Sequence, residues 1–327
     1  MLCVLASACG STAATGVTTV SPPNAEAPPL PPASAPLVYA LPSGAASVTR
    51  LDVRGWRELL GEPNEGDLSQ IQSGSFWVSL MRAVWRPERR IDEVAVGLYD
   101  VGYGHVTALL IARGSIDEPA RAALRETTRC CFSTDDMVER EATGGVFVFG
   151  SSRLAEQAIR RLRESPRSLA PGAIDPMHDA RDWERAPSAF NTSLTASMRA
   201  NLRRDLERRF PGAGALVDGV AGYGARLRVL PDGNVDVTIV IAARDADAAD
   251  ALLALASVAL PILAQEEDIV AMDAADILQG GRAERRGNLV EVHLPMTRER
   301  FARFGNGLRN DARAQRGLLR TLGITVE

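Results

Sequence analysis

Apolar and polar residues alternate most regularly in the second half of the chain. Every odd position from 235 to 241 is Val or Ile, whereas Asp236 and Thr238 lie between them. Just upstream, Leu227 and Val229 alternate with arginines. A period of two predicts β-strands with one face in the core and a wetter opposite face. The turn sequence at 231–234, Pro-Asp-Gly-Asn, joins residues 225–230 and 235–242 into a predicted hairpin.

A short repeat indicates that the first half is built in the same way. The sequence Ile-Asp-Glu-Val-Ala at 91–95 resembles Val-Asp-Gly-Val-Ala at 217–221, and each copy opens a predicted hairpin. In the first half that hairpin comprises residues 94–99 and 105–112. A second hairpin is predicted to turn at residues 143–145 in one half and 286–288 in the other.

Helical patterns surround these hairpins. Helices are predicted to begin at Asp117 and Asp245 after the first hairpin of each half, and at Ser152 and Thr297 after the second. A further helix precedes each first hairpin, at residues 71–84 and 194–210, and the latter repeats an apolar residue every four positions: Leu194, Met198, Leu202, Leu206 and Phe210.

The apolar run at 251–264 is too short for a membrane span and contains Pro261, so it is expected to be a buried core helix. Its inward positions are predicted to include Leu252, Leu255, Ala259 and Ile262.

The predicted order is therefore helix, hairpin, helix, hairpin, helix, written twice. Antiparallel hairpins with helices over one face define an α+β fold, and the repetition predicts an internal duplication. We expect two similar units, at residues 37–174 and 175–327.

Composition narrows the possible functions. A hydrophobic content of 46% and a charged content of 24% are typical of a globular protein, and a net charge of −4 gives no attraction to nucleic acid. All 37 basic residues are Arg. The absence of Lys from the sequence excludes the Walker P-loop, the pyridoxal Schiff base and the Ser-x-x-Lys nucleophile.

Candidate chemistry is sparse. One side of a predicted helix carries Asp175, His178, Asp179 and Asp182. These residues are either metal ligands or part of a solvated helix face, and the solvated face is the simpler interpretation. On the last strand, Glu291 and His293 alternate with apolar residues and are expected to be exposed partners rather than an acid/base pair.

No nucleophile is apparent. Cys130 and Cys131 have no evident His or Asn partner in sequence, and the Gly-x-Ser-x-Gly pattern is missing. We therefore expect no catalytic residue, no cofactor and no enzymatic activity.

The start of the chain indicates a location. Residues 5–9, Leu-Ala-Ser-Ala-Cys, follow a short apolar stretch, and a Pro- and Ala-rich tract extends from there to Pro36. The stretch resembles the lipobox of bacterial lipoproteins, although no basic segment precedes it and its Leu lies one place early. The resemblance implies a signal-peptide remnant at 1–8 and acylation at Cys9; residues 9–36 are then a linker that cannot bury enough surface to fold.

The chain is accordingly expected to be a cell-envelope lipoprotein, held to the membrane through its lipid. Gly10 after Cys9 suggests the outer membrane, facing the periplasm, by resemblance to lipoprotein sorting. Its role is predicted to be non-catalytic binding or assembly, with an envelope protein or a small ligand as partner. Two alternatives stay open, a small-ligand carrier with a site between the halves and a periplasmic hydrolase or metal-dependent enzyme without a recognised motif.

Overall fold

The computed structural model describes two compact units. The first comprises the described residues up to 57 and from 76 to 190; the second comprises residues 58–60 and those from 191 to 310. The predicted boundary between residues 174 and 175 lies outside the described residues. The structure describes residues 35–60, 76–85, 90–102, 105–129, 136–142, 144–170, 177–178, 180–194, 196–271 and 273–310.

The first unit is built on an antiparallel sheet with the strand order β4-β5-β3-β2-β1. Helix α1 and strand β6 each cross from one unit into the other. In chain order the elements up to and including the crossing strand β6 are β1 (Ser47–Asp52), α1 (Val53–Leu60), α2 (Phe76–Val84), β2 (Ile91–Gly102), β3 (His105–Gly114), α3 (Glu118–Arg129), β4 (Met137–Ala142), β5 (Val146–Ser151), α4 (Ser152–Glu164), α5 (Ala180–Arg185) and β6 (Ser188–Ser193).

The second unit has the strand order β9-β10-β8-β7-β6, in which the pairs formed by β7, β8, β9 and β10 are antiparallel. Counted from each unit's first strand, this order is identical to that of the first unit. Its elements continue with α6 (Ala196–Arg209), β7 (Val220–Val229), β8 (Val235–Ala243), α7 (Ala246–Leu263), α8 (Glu267–Ala271), α9 (Ala275–Gln279), β9 (Arg282–Arg286), β10 (Leu289–Met296) and α10 (Arg298–Asn310).

The α+β class is thereby confirmed, and all four predicted hairpins are present as β2-β3, β4-β5, β7-β8 and β9-β10. Strands β1 and β6, which begin each series, were not predicted. The shared strand order is what a duplication would produce, but duplication itself stays a prediction.

Side-chain caps explain where several helices begin. The carboxylate of Asp245 accepts a hydrogen bond from the backbone N–H of Ala248 at 2.8 Å, as predicted. Thr297 likewise caps α10, accepting from the Arg300 N–H at 3.1 Å. Helix α4 is capped by Ser151 rather than by the predicted Ser152, which is its first helical residue.

Both faces of the first unit's sheet are buried, so the prediction of helices over one face is wrong. Neighbouring residues of a strand point to opposite faces, and the two faces belong to different apolar clusters. One cluster contains Ala95 and Ile111 together with residues of α4; the other contains Val94 and Leu110 together with residues of α2 and α3. The reason is that α4 follows β5 on the face opposite to α3.

Helix α7 is only partly the buried core helix that was expected. Leu252 and Ala259 are buried as predicted, but Ile262 is 45% exposed and Val258 is 58% exposed. Among the described residues, α7 is long and apolar enough to be a candidate membrane span, and 28% of it is buried. The core helices of soluble proteins meet the same criterion of length and composition.

Candidate functional site

A row of charged and polar side chains crosses one face of the second unit's sheet. Thr238 of β8 lies opposite Arg226 of β7 on one side and opposite His293 of β10 on the other. Glu291 of β10 in turn lies opposite Glu284 of β9. Because directly paired residues share a face, these side chains from four strands lie together on one face of the sheet, beside Val240, which lies opposite Glu291.

His293 lies at the centre of this row and is only 8% exposed. Its Nδ1 lies 2.9 Å from Oδ2 of Asp236 and 3.3 Å from the Thr238 hydroxyl, which donates to the same Asp236 oxygen at 2.9 Å. Its Nε2 lies 3.1 Å from Oε1 of Glu284 and 3.4 Å from Oε2 of Glu291. One imidazole therefore lies between three carboxylates.

Glu291 is the most buried acid of this group, with a side chain only 4% exposed. Its Oε2 accepts a hydrogen bond from Nη2 of Arg226 at 2.8 Å, and its Oε1 lies 3.1 Å from Nη2 of Arg286. Burial alone would raise the pKa of Glu291. The hydrogen bond and charge of Arg226, together with the charges of Arg286 and His293, outweigh that effect and hold the pKa below its usual value.

The group is reached from the β9 side. The side chains of Glu284 and Arg286 on β9 are 57% and 59% exposed, whereas those of His293 and Glu291 on β10 are 10% and 4% exposed. Strand β9 is the last in the strand order. A small solute therefore meets exposed β9 side chains first and the buried imidazole behind them.

The geometry does not match nucleophilic catalysis. Thr238 is the hydroxyl of this group, but it lies on the Nδ1 side of His293 and donates to Asp236. A general base activates a hydroxyl that hydrogen-bonds to its free nitrogen, and here Nε2 faces two carboxylates instead. The arrangement can hold a cation or a proton between acids.

The sequence-predicted cluster is only partly described. His178 and Asp182 are buried, with Nδ1 of His178 3.9 Å from Oδ2 of Asp182, so the expectation of a solvated face is wrong for these two. His178 Nε2 lies 3.0 Å from the carbonyl oxygen of Phe190, and its ring packs edge-on against Trp183 at 5.3 Å. These contacts give His178 a structural role joining the segment before α5 to β6.

Asp175 and Asp179 lie outside the described residues, as do Cys9, Cys130 and Cys131.

The sequence did place Glu291 and His293 on a common face, and they are in contact, but the prediction that they are exposed is wrong. Arg226 and Asp236, their partners on β7 and β8, were missed as site residues. The available signal was the pairing of two alternating strands, each with charged residues on the face opposite its aliphatic residues.

Comparisons with known proteins identify no family for this chain. No protein-family model matches the sequence, and no curated protein matches it. The solved structure of TP0453 (crystal form I) is similar over 85% of this chain and 100% of that chain, with 12% identity and a TM-score of 0.39. At that level the similarity carries no argument about fold or function here.

Proposed function

We propose that this protein is a cell-envelope lipoprotein, acylated at Cys9, whose folded body acts by binding rather than by catalysis. The observation that carries the proposal is the lipobox-like stretch at residues 5–9 followed directly by a Pro- and Ala-rich tract to Pro36. Two signals of this kind in succession, an acylation site and a spacer, are typical of a tethered protein.

The way in which the chain enters the first unit supports a tether. Residues Leu37–Ala40 form a 3-10 turn whose side chains are buried in the core. The N–H of Leu37 donates to Oε1 of Glu93 at 3.0 Å, and the carbonyl oxygen of Ala35 accepts from Arg113 at 2.9 Å. The carbonyl oxygen of Tyr39 accepts two hydrogen bonds from Arg161, at 3.0 and 2.8 Å. A spacer ending here is fixed to the sheet at its last residues.

The chemistry of the described residues supports a binding role. The buried acids Glu93 and Glu291 are each paired with arginines, Glu93 with Arg50 at 3.0 Å and Glu291 with Arg226 at 2.8 Å. Such pairs neutralise the acids and hold them in place, which suits a scaffold better than a proton-transfer site. The partner we expect is an envelope protein or a small ligand, beside the membrane contact made through the lipid.

Metabolic labelling with radioactive palmitate tests the anchor. We expect label in the wild-type chain and in a Cys3→Ser variant, and none in a Cys9→Ser variant. Cys3 is the matched control because it lies in the same apolar stretch and is removed with the signal peptide if cleavage occurs before Cys9.

Fractionation provides the second readout. The wild-type chain should be recovered with membranes, and the Cys9→Ser variant should leave them. Equal labelling of both variants, or an unprocessed chain that still carries Met1 in the soluble cell contents, would overturn the proposal.

A further inference from the structure

We propose that Glu284, Glu291 and His293 bind one divalent transition-metal ion, of which Zn²⁺ is the representative. The proposal concerns the second unit alone and does not depend on the lipid anchor. One ligand atom from each of the three residues lies within 4.8 Å of the other two. An imidazole nitrogen with two carboxylates is a donor set used for Zn²⁺ and other first-row divalent ions.

The distances fit a coordination shell. Ligands at about 2.0–2.2 Å from a tetrahedral metal lie roughly 3.3–3.6 Å from one another. Nε2 of His293 lies 3.1 Å from Oε1 of Glu284 and 3.4 Å from Oε2 of Glu291. Both distances from Nε2 are therefore close to ligand spacing, and the ligand atoms of the two glutamates lie within 4.8 Å of each other.

Asp236 fixes the imidazole for this role. Metal-binding histidines usually donate their second ring N–H to a carboxylate, which sets the tautomer and directs the other nitrogen at the metal. Nδ1 of His293 lies 2.9 Å from Oδ2 of Asp236, and Thr238 holds that same oxygen through its hydroxyl. With its proton on Nδ1, His293 presents the Nε2 lone pair toward Glu284 and Glu291.

A buried carboxylate oxygen beside His293 provides an independent indication of a cation site. Oδ1 of Asp236 is buried and accepts no hydrogen bond from the described residues, whereas Oε1 of Glu291 is already paired with Nη2 of Arg286 at 3.1 Å. A buried carboxylate oxygen without a donor is costly, and a bound cation offsets that cost.

The donor set also indicates which metal ions the site would not prefer. Ca²⁺ and Mg²⁺ take oxygen ligands in larger or octahedral shells, whereas an imidazole nitrogen favours Zn²⁺, Co²⁺ and their neighbours. No thiolate is part of the group, so soft ions such as Cu⁺ are not expected to prefer it.

Titration calorimetry of the full-length protein in detergent, first freed of metal by a chelator, tests the proposal. Because the chain has four cysteines, the titration uses a variant in which Cys3, Cys9, Cys130 and Cys131 are all replaced by Ser, so that no thiol competes for Zn²⁺. We expect one Zn²⁺ per chain and no comparable binding of Mg²⁺ or Ca²⁺. Glu284→Gln should weaken Zn²⁺ binding at least tenfold, and Asp236→Asn should weaken it by about 10- to 100-fold.

Matched controls separate a site from surface binding and from misfolding. Glu141→Gln changes an exposed acid on β4, the strand in the first unit whose place corresponds to β9, and should leave Zn²⁺ binding unchanged. Because Glu284 is 57% exposed, its variant should keep the wild-type circular dichroism spectrum even if the buried variants do not. Failure of the wild type to bind Zn²⁺, or equal Zn²⁺ affinity in Glu284→Gln and the wild type, would overturn the proposal.

Discussion

Replacing Arg226 by Met should destabilise the second unit strongly. The Arg226 and Glu291 side chains are 1% and 4% exposed and 2.8 Å apart. Met has a similar length but no charge, so Glu291 would keep its buried carboxylate and lose its main counterion. Breaking one side of a buried ion pair typically costs about 3–5 kcal/mol. We expect a loss of that size in the free energy of unfolding, measured by urea denaturation at pH 7.

A surface pair provides the matched control. Arg208 and Asp205 of α6 are 3.0 Å apart, but their side chains are 71% and 36% exposed. Exposed pairs of this kind contribute at most about 1 kcal/mol, so Arg208→Met should change stability little. The double variant Arg226→Met, Glu291→Leu should be more stable than Arg226→Met alone, because it no longer buries an uncompensated charge.

The pH dependence gives a second test with a defined sign. The pKa of Glu291 is lower in the folded protein than its usual value, so its ionisation stabilises the fold above the unfolded-state value of about 4.3. That contribution is lost as the pH falls through the folded-state pKa. The stability difference between wild type and Arg226→Met should therefore shrink on acidification below about pH 4. A difference under 1 kcal/mol at pH 7, or one that does not change with pH, would refute the reasoning.

Three further substitutions test the fold by the same urea measurement. Glu93→Gln should cost about 3–5 kcal/mol, because the buried Arg50 loses its closer acidic partner, 3.0 Å away, and keeps only Asp52 at 3.9 Å; a loss below 1 kcal/mol would contradict this. Gly114→Ala should cost more than Gly233→Ala, since both have positive φ but a Cβ on Gly114 would lie 2.1 Å from a backbone carbonyl oxygen, whereas Gly233 faces open space. Asp245→Ala should lower the free energy of unfolding by about 1 kcal/mol, because α7 loses its cap. Asp245→Asn is the control and should keep the wild-type stability, because Asn caps helices as well as Asp does.

Local patterns were sufficient to predict the hairpins and the starts of α3, α7 and α10. Alternation at 235–241 identified β8, and Asp245 and Thr297 were correctly expected to begin α7 and α10. These features depend on residues close in sequence. Strands β1 and β6 were missed because residues 47–52 and 188–193 carry Ser, Thr, Arg and Asn among few aliphatic residues. Their strand conformation depends on pairing within the sheet.

The candidate site could be predicted only in part, because its members are distant in sequence. The alternation around Glu291 and His293 placed them on one face, but only the strand pairing brings Asp236 and Arg226 to them. Polar residues on alternate positions were interpreted as exposed. In this fold they are buried because acids and bases on neighbouring strands neutralise one another.

The hydrogen-bonded entry segment at residues 35–41 sets a limit on how far the chain can be shortened for laboratory use. Leu37, Val38 and Tyr39 are each at most 3% exposed and belong to the same cluster as Trp183. A recombinant version that starts at Ser47, the first residue of β1, would delete part of the hydrophobic interior and should aggregate or be degraded. A version that starts at or before residue 35 keeps these side chains and is the sensible starting point for crystallisation.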